Sequence, residues 1–366
     1  MSKPVVSVVV PAFNARLWIA ATLESALSQT LKEIEVIVVD DGSTDDTAGV
    51  VESFSRIDPR VRLIRTQNAG VGAARNTAIK ASFGEFIAPL DADDLWDPPK
   101  LEKQVNRMRE WGDKAGLVYC WSRLIDEDGK WIMGGSSFEV EGGARKAIIF
   151  RNFVGNASVP LFRKEALDEV GLYLSRDEQG GVQGCEDWDL VIRLAEKWEI
   201  ALVPEFLVGY RQTRGCMSAG IEGMTSSFRV LQQRARERNR DIPAKLFRWS
   251  GGRFLGYLVL KSYQGCDYRG CLMSIVRSFL QDPFMLLNRR FHRLAFKSLV
   301  LNATGLRKHP RPAIQWTQVK PPAGPEVKPL IQRIHDSRWR KTLAECGIPY
   351  TSGKSSPFDR NSNTPS

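Results

Sequence analysis

Apolar residues in this chain cluster in short β-branched blocks separated by longer stretches of helical spacing, the alternation expected of a parallel sheet with crossover helices. Residues 5–10 (V-V-S-V-V-V) and 34–39 (I-E-V-I-V-V) are two such blocks. Between them, 18–31 has apolar positions three and four apart, which predicts an amphipathic helix and completes a strand, helix, strand unit. A second helix is predicted at 45–55 with Ser43 or Thr44 as its N-cap, then a short strand at 61–65. Residues 70–82 predict a third helix, leading into the apolar run Phe86-Ile87-Ala88-Pro89-Leu90. Downstream, 117–125 and 130–133 flank the turn Asp126-Glu127-Asp128-Gly129 and read as a hairpin. A helix at 190–197 and a late strand at 200–208, ending at Tyr210-Arg211, follow. From 228 to 304 the pattern turns to basic helices, and the tail after 308 reads as extended or disordered.

Composition narrows the class. At 366 residues the chain can bury a sizeable core, and 43% hydrophobic with 26% charged residues is ordinary for a globular protein. Six Cys without C-x-x-C pairs and only three His argue against a structural zinc site or a disulfide framework and suit a reducing compartment. No signal peptide is visible, and the longest apolar stretches stop well short of the roughly 20 residues a spanning helix needs. The expected location is cytoplasmic.

The net charge of +10 is unevenly distributed. Residues 1–228 carry 26 Lys and Arg against 34 Asp and Glu, whereas 229–308 carry 17 against 4. The acidic N-terminal two-thirds opposes a nucleic-acid backbone, and no nucleic-acid motif accompanies the basic segment.

The candidate chemistry sits where predicted strands end. Asp91-Ala92-Asp93-Asp94 follows the apolar run at 86–90, so its carboxylates should emerge at the C-terminal edge of the sheet, where open α/β sheets bind ligands. Two Asp one residue apart suit a hard divalent cation that shares substrate phosphates; a solvated turn or helix cap has the same composition. Pro11-Ala12-Phe13-Asn14 and Asp40-Asp41-Gly42-Ser43 end the first two strands, with a ring, an amide and carboxylates that suit a nucleobase or a turn equally. Gly70 and Gly72 open a helix that carries Arg75, as a phosphate contact or as a closely packed helix start. Glu186-Asp187 enters another helix, where acids also favour the helix dipole.

Taken together, V-S-V-V-V-P-A-F-N, V-I-V-V-D-D-G-S-T-D-D-T, N-A-G-V-G-A-A-R-N, D-A-D-D and G-C-E-D-W-D-L resemble glycosyltransferase family 2, over roughly residues 4–220. The resemblance implies an α/β GT-A fold: a mostly parallel sheet flanked by helices, here with a C-terminal basic helical extension. Residues 1–94 would be the nucleotide-sugar half and 95–228 the acceptor half of a catalytic domain over 1–228, with 229–308 the extension and 309–366 a flexible tail. It implies transfer of a sugar from a nucleotide-diphospho-sugar, UDP foremost, to a glycan or lipid-linked acceptor with inversion. Pro11, Phe13, Asn14, Asp40 and Asp41 would line the nucleoside pocket, and Arg75 would lie near the diphosphate or the sugar. Asp91 and Asp93 would hold the nucleotide and Mn²⁺ or Mg²⁺, with Asp187 of the Glu186-Asp187 pair as general base. Trp188 is either a floor for the sugar or a core residue. Many relatives place a His soon after a Tyr-Arg pair; here Gln212 to Ser218 contains none, so Arg211 or Arg214 is expected to meet phosphate charge instead.

Residues 245–300 mix Phe247, Trp249, Phe254, Leu255, Leu258, Phe279, Phe284, Leu287, Phe291 and Phe296 with Arg and Lys. The pattern suits helices on an anionic membrane surface, or a packed pair with a solvated basic face. Two other functions share parts of this picture. A sugar-nucleotide pyrophosphorylase would carry a Gly-rich loop after the first strand, which Pro11-Ala12-Phe13-Asn14 is not. A non-catalytic nucleotide-sugar binding module would have no need of Asp187.

Overall fold

The structure is a computed structural model that describes residues 3–180, 183–212, 221–283 and 289–304. Two compact units divide the chain, one of residues 1–148 and 152–239, the other of residues 149–151 and 240–366. The expected tail at 309–366 lies outside the described residues.

The first unit opens with β1 (Val6–Ala12), α1 (Ile19–Leu27), β2 (Ile34–Asp40), α2 (Thr47–Ile57), β3 (Val61–Arg65), α3 (Val71–Lys80) and β4 (Phe86–Pro89). It continues with β5 (Leu95–Trp96), α4 (Lys100–Trp111), β6 (Ala115–Ile125), β7 (Trp131–Ser136) and α5 (Arg145–Phe150), whose last two residues belong to the second unit. It ends with β8 (Leu161–Arg163), α6 (Lys164–Val170), α7 (Glu186–Ala195), β9 (Glu199–Arg211) and α8 (Ile221–Arg238). The second unit adds α9 (Ala244–Gln264), α10 (Tyr268–Gln281) and α11 (Arg289–Thr304).

Among the described residues these strands form one nine-stranded sheet in the order β3-β2-β1-β4-β8-β6-β9-β5, with β7 hydrogen-bonded to β6. β1 pairs in parallel with β2 and β4, and β2 with β3; β8 runs antiparallel between β4 and β6 and ends the parallel half. Every residue of β1 and β2 is buried. That explains their largely β-branched composition, since a parallel strand covered on both faces has no polar side to alternate with. β3 is the edge, and Arg62 and Arg65 keep it from presenting an apolar row to other chains.

One local expectation fails. Neither Ser43 nor Thr44 caps α2; Asp46 takes the N-cap position and the Asp45 carboxylate accepts the Thr47 N–H at 3.0 Å. The Thr44 and Ser43 groups instead meet Asn14, which ties the loops after β1 and β2 together. The hairpin forms as expected, with Gly129 at φ +78° closing the turn between β6 and β7.

Candidate active site

β1, β2 and β4 lie side by side in parallel, so the loops after them share one edge of the sheet. Pro11 is buried in β1, while Phe13 just beyond it is 52% exposed and offers a free aromatic face. Asn14 takes φ +50°, a conformation Asn tolerates better than most residues. Its side-chain oxygen accepts the Thr44 N–H at 2.8 Å and its own N–H donates to Ser43 Oγ at 2.9 Å.

The two carboxylates after β2 are buried and bonded to backbone. Asp40 Oδ1 accepts the Ser43 N–H at 3.1 Å. Asp41 Oδ1 accepts the Ala69 N–H at 2.9 Å and Oδ2 the Gly70 N–H at 2.8 Å. These are the donors just before α3, so Asp41 supports the helix entrance and is not a free nucleoside contact. The glycines there serve close packing: a Cβ at Gly72 would lie 2.3 Å from the Leu174 carbonyl oxygen, and one at Gly70 2.8 Å from the Gln183 amide.

In Asp91-Ala92-Asp93-Asp94 the three carboxylates separate by environment. Asp94 is fully buried, its Oδ2 accepting the Ser158 hydroxyl at 2.5 Å and its Oδ1 the Arg211 N–H at 2.9 Å. Burial, with the charges of Asp93 and Asp91, holds its pKa well above the ordinary range. Asp91 and Asp93 remain partly exposed. The Asp93 pKa is pushed up to about 6 by burial first and by the Asp91 charge second, with its own backbone hydrogen bond and Arg211 opposing.

That repulsion is what a divalent cation would relieve. Two hard oxygen donors fit Mn²⁺ or Mg²⁺ when a diphosphate and water fill the other positions. Among the described residues no group of three or more His, Cys, Asp or Glu side chains converges.

Arg75 was expected at the substrate and is instead inside the protein, 2% exposed. Its Nη2 donates to Asp91 Oδ1 at 2.6 Å and its Nη1 to Glu186 Oε1 at 3.0 Å, with the guanidinium 5.1 Å from the Tyr173 ring centroid. One fork thus joins the aspartate after β4 to the first turn of α7. Glu186 is held at both ends, since its Oε2 accepts the Gly184 N–H at 2.9 Å, and it positions the turn.

Asp187, the next residue, is the half-buried member of the pair. Burial and the Glu186 charge push its pKa up to about 7, against the pull of Arg75 and the Trp188 N–H, which donates to Oδ1 at 2.7 Å. It lines a small recess with Asn152, Asn156, Pro160, Phe162, Tyr173 and Val191. A carboxyl poised near neutrality beside an open recess has the properties of a general base.

Trp188 and Arg211 are both buried. Trp188 is a core residue: it is buried, its indole N–H donates to the Ile148 carbonyl at 2.7 Å, and its ring lies 5.4 Å from that of Phe228. Arg211 is committed to main-chain carbonyls, with Nε on Asp93 at 2.6 Å and Nη1 on Asp126 at 2.9 Å and Glu127 at 2.6 Å, and its guanidinium stacks on Trp18. It braces the aspartate loop. Arg214 lies outside the described residues.

Ser158 and Tyr173 went unnoticed in the sequence. Ser158 receives the Asp91 N–H and donates to Asp94, but nothing in N-A-S-V marks it. The single signal for Tyr173 is an aromatic residue just after Gly171.

Residues 7–171 match the family model described as Glycosyl transferase family 2. The chain is 42% identical over 152 residues to TuaG of Bacillus subtilis (strain 168), a proposed teichuronic acid biosynthesis glycosyltransferase, covering 40% of this chain and 60% of that protein. It is 32% identical over 195 residues to chondroitin synthase of Escherichia coli, covering 53% of this chain and 27% of that one. The chain therefore spans less than two-thirds of the length of either relative. Among solved structures, S. aureus TarS 1-349 in complex with UDP-GlcNAc superposes with a TM-score of 0.55 at 18% identity, over 82% of this chain and 92% of that one. The shared architecture is the GT-A fold.

Proposed function

We propose, for a chain whose residues 7–171 form a glycosyltransferase family 2 domain, that it transfers a sugar from a nucleotide-diphospho-sugar to a hydroxyl of a glycan or lipid-linked acceptor, with inversion. The observation that carries this reading is the Arg75 bridge from Asp91 to Glu186, which ties the loop of Asp91 and Asp93 to the helix turn that sets Asp187, half-buried, at its recess. Phe13 is the group best placed to stack on the base of the nucleotide. The TarS structure holds UDP-GlcNAc, which supports a UDP-sugar as the first donor to test. TuaG and chondroitin synthase carry names from polymer synthesis, which supports a polysaccharide acceptor.

The reaction is a single displacement. The acceptor oxygen attacks the anomeric carbon, the bond from that carbon to the diphosphate oxygen breaks, and the nucleoside diphosphate leaves with the bonding pair. The acceptor proton passes to Asp187, a contribution of about 10²- to 10⁴-fold in rate. A divalent ion held by Asp91 and Asp93 would supply charge compensation for the leaving diphosphate. Asp94, Ser158 and Arg211 keep that loop in place, and Arg75 keeps α7 in register with it.

The test is incubation with UDP-sugars, Mn²⁺ and oligosaccharide or lipid-linked acceptor extracts, with the anomeric configuration of the product read by NMR. A new glycosidic bond of opposite configuration to the donor is expected. Retention of configuration, or release of sugar 1-phosphate and UTP on adding pyrophosphate, overturns the proposal.

A further inference from the structure

Two helices of the second unit present large apolar side chains to solvent on the same strips as their cations. On α10, Met273, Val276 and Leu280 recur at helical spacing and stand exposed, Leu280 at 77%. On α11, Phe296 at 69%, Leu299 and Val300 do the same. The opposite strips are already used: Cys271 and Ile275 of α10 and Phe291 of α11 form a buried cluster with Val259 of α9. The outward apolar residues are therefore surplus to the core of this unit, and surface of this kind marks a binding site.

Charge identifies the partner. α10 and α11 contain six Arg and Lys residues (Arg269, Arg277, Arg289, Arg290, Arg293 and Lys297) and no Asp or Glu. The nearest acids along the chain are Asp267, which caps α10 through the Gly270 N–H, and the buried Asp282. By the 3.6-residue period, Arg269 and Arg277 fall on the strip of Met273 and Val276, and Arg289 and Arg293 on that of Phe296. A partner must thus offer an apolar layer with anionic groups directly above it. An anionic bilayer does so: its phosphates meet the cations at headgroup level while the apolar side chains enter the acyl boundary. The long Arg and Lys stems lie along that boundary with their charges outside it.

We propose that the outward strips of α10 and α11 are a docking surface for an anionic phospholipid bilayer. The location differs from the one the sequence suggests. Phe247, Trp249, Phe254, Leu255, Leu258 and Phe291 are buried, Phe279 packs against the cluster, and Phe284 and Leu287 lie outside the described residues; of that set Phe296 alone is exposed. No described helix is long and apolar enough to cross a membrane, so the contact would be one of lying on the surface.

The experiment is flotation of the full chain with vesicles of phosphatidylcholine alone or mixed with phosphatidylglycerol. Binding to the mixed vesicles alone is expected, weakening as salt rises. A basic residue near such a surface is worth roughly fivefold in partitioning, so Arg293→Gln with Lys297→Gln should weaken binding roughly 25-fold. Leu280→Gln with Phe296→Gln should weaken it at least about tenfold. All four side chains are exposed, so thermal melting and transfer to a soluble acceptor should stay unchanged in both variants. Equal binding to neutral vesicles, or wild-type affinity in either double variant, overturns the proposal. A dimer seen by light scattering that Leu280→Gln with Phe296→Gln dissolves, with no vesicle binding, assigns the strips to a second copy and overturns it too.

Discussion

Replacing Asp187 by Asn should make the protein inactive and more stable at once. Asn keeps the size of the side chain and the oxygen that accepts the Trp188 N–H, so the change is one of charge alone. Burial and the Glu186 charge push the carboxyl up to about 7 in the folded protein from an ordinary 3.8. Such a shift is worth about 4 kcal/mol at full strength, and about 2 kcal/mol once solvent screening of a half-buried group is allowed for. The sign follows from proton counts. Between pH 3.8 and about 7 the folded state holds a proton that the unfolded chain has lost, so wild-type stability falls as pH rises through that window. Above about 7 the whole penalty is present, and below 3.8 it vanishes.

Denaturant unfolding of both proteins without donor, at pH 4 and pH 8, should therefore show Asp187→Asn ahead by about 2 kcal/mol at the higher pH and by little at the lower. Transfer activity should drop about 10²- to 10⁴-fold, and the wild-type rate should rise with pH through about 7 and level off above it as the base ionises. An Asn variant that keeps most of its activity places the base elsewhere. A stability difference independent of pH refutes the claim that Asp187 is held charged against its environment.

The other expectations concern the supports of the site. Arg75→Lys replaces a fork that spans Asp91 and Glu186 with a single ammonium; a loss of about 3 kcal/mol by urea unfolding is expected, and a neutral result would mean that the bridge is dispensable. Asp93→Asn should abolish the Mn²⁺-dependent part of the melting shift given by UDP, worth about 2.7 kcal/mol at a hundredfold excess over Kd; an undiminished shift would remove Asp93 from the metal site. Gly72→Ala should destabilise by about 1–3 kcal/mol despite the better helix propensity of Ala, because the new Cβ meets the Leu174 carbonyl; circular dichroism melts that rise would contradict this. Lys100 is fully buried over the Trp96 ring, and burial lowers its pKa from 10.5 to about 8, so the unfolded chain binds the extra proton between those values and wild-type stability rises with pH there. Lys100→Met should therefore be more favourable at pH 7 than at pH 10.5 by about 3 kcal/mol, whatever constant cost the orphaned Gln104 oxygen adds.

The strands of the nucleotide-sugar half were legible because burial on both faces favours a largely β-branched composition, and the positions of Asp91 and Glu186-Asp187 followed from where a strand stops and a helix starts. What could not be read was which polar groups are spent on the protein itself. Asp41, Glu186, Arg75 and Arg211 have residue types that suit substrate contact, yet each lies in an interior where loop N–H and C=O groups or opposing charges need partners. A sequence shows the type of a polar residue and not its demand. Demand depends on chain crossings distant along the sequence, such as Ser158 with Asp94 or Arg211 with Glu127. Setting those braces aside, together with Asn14, which is bonded to Ser43 and Thr44, leaves the exposed Phe13 and the half-buried Asp91, Asp93 and Asp187 from the expected set. They comprise a stacking ring, a carboxylate pair that repels itself and a carboxyl titrating near neutrality. Each is a group that gains from a ligand something the fold does not give it, and so the substrate-facing chemistry is best sought in these four.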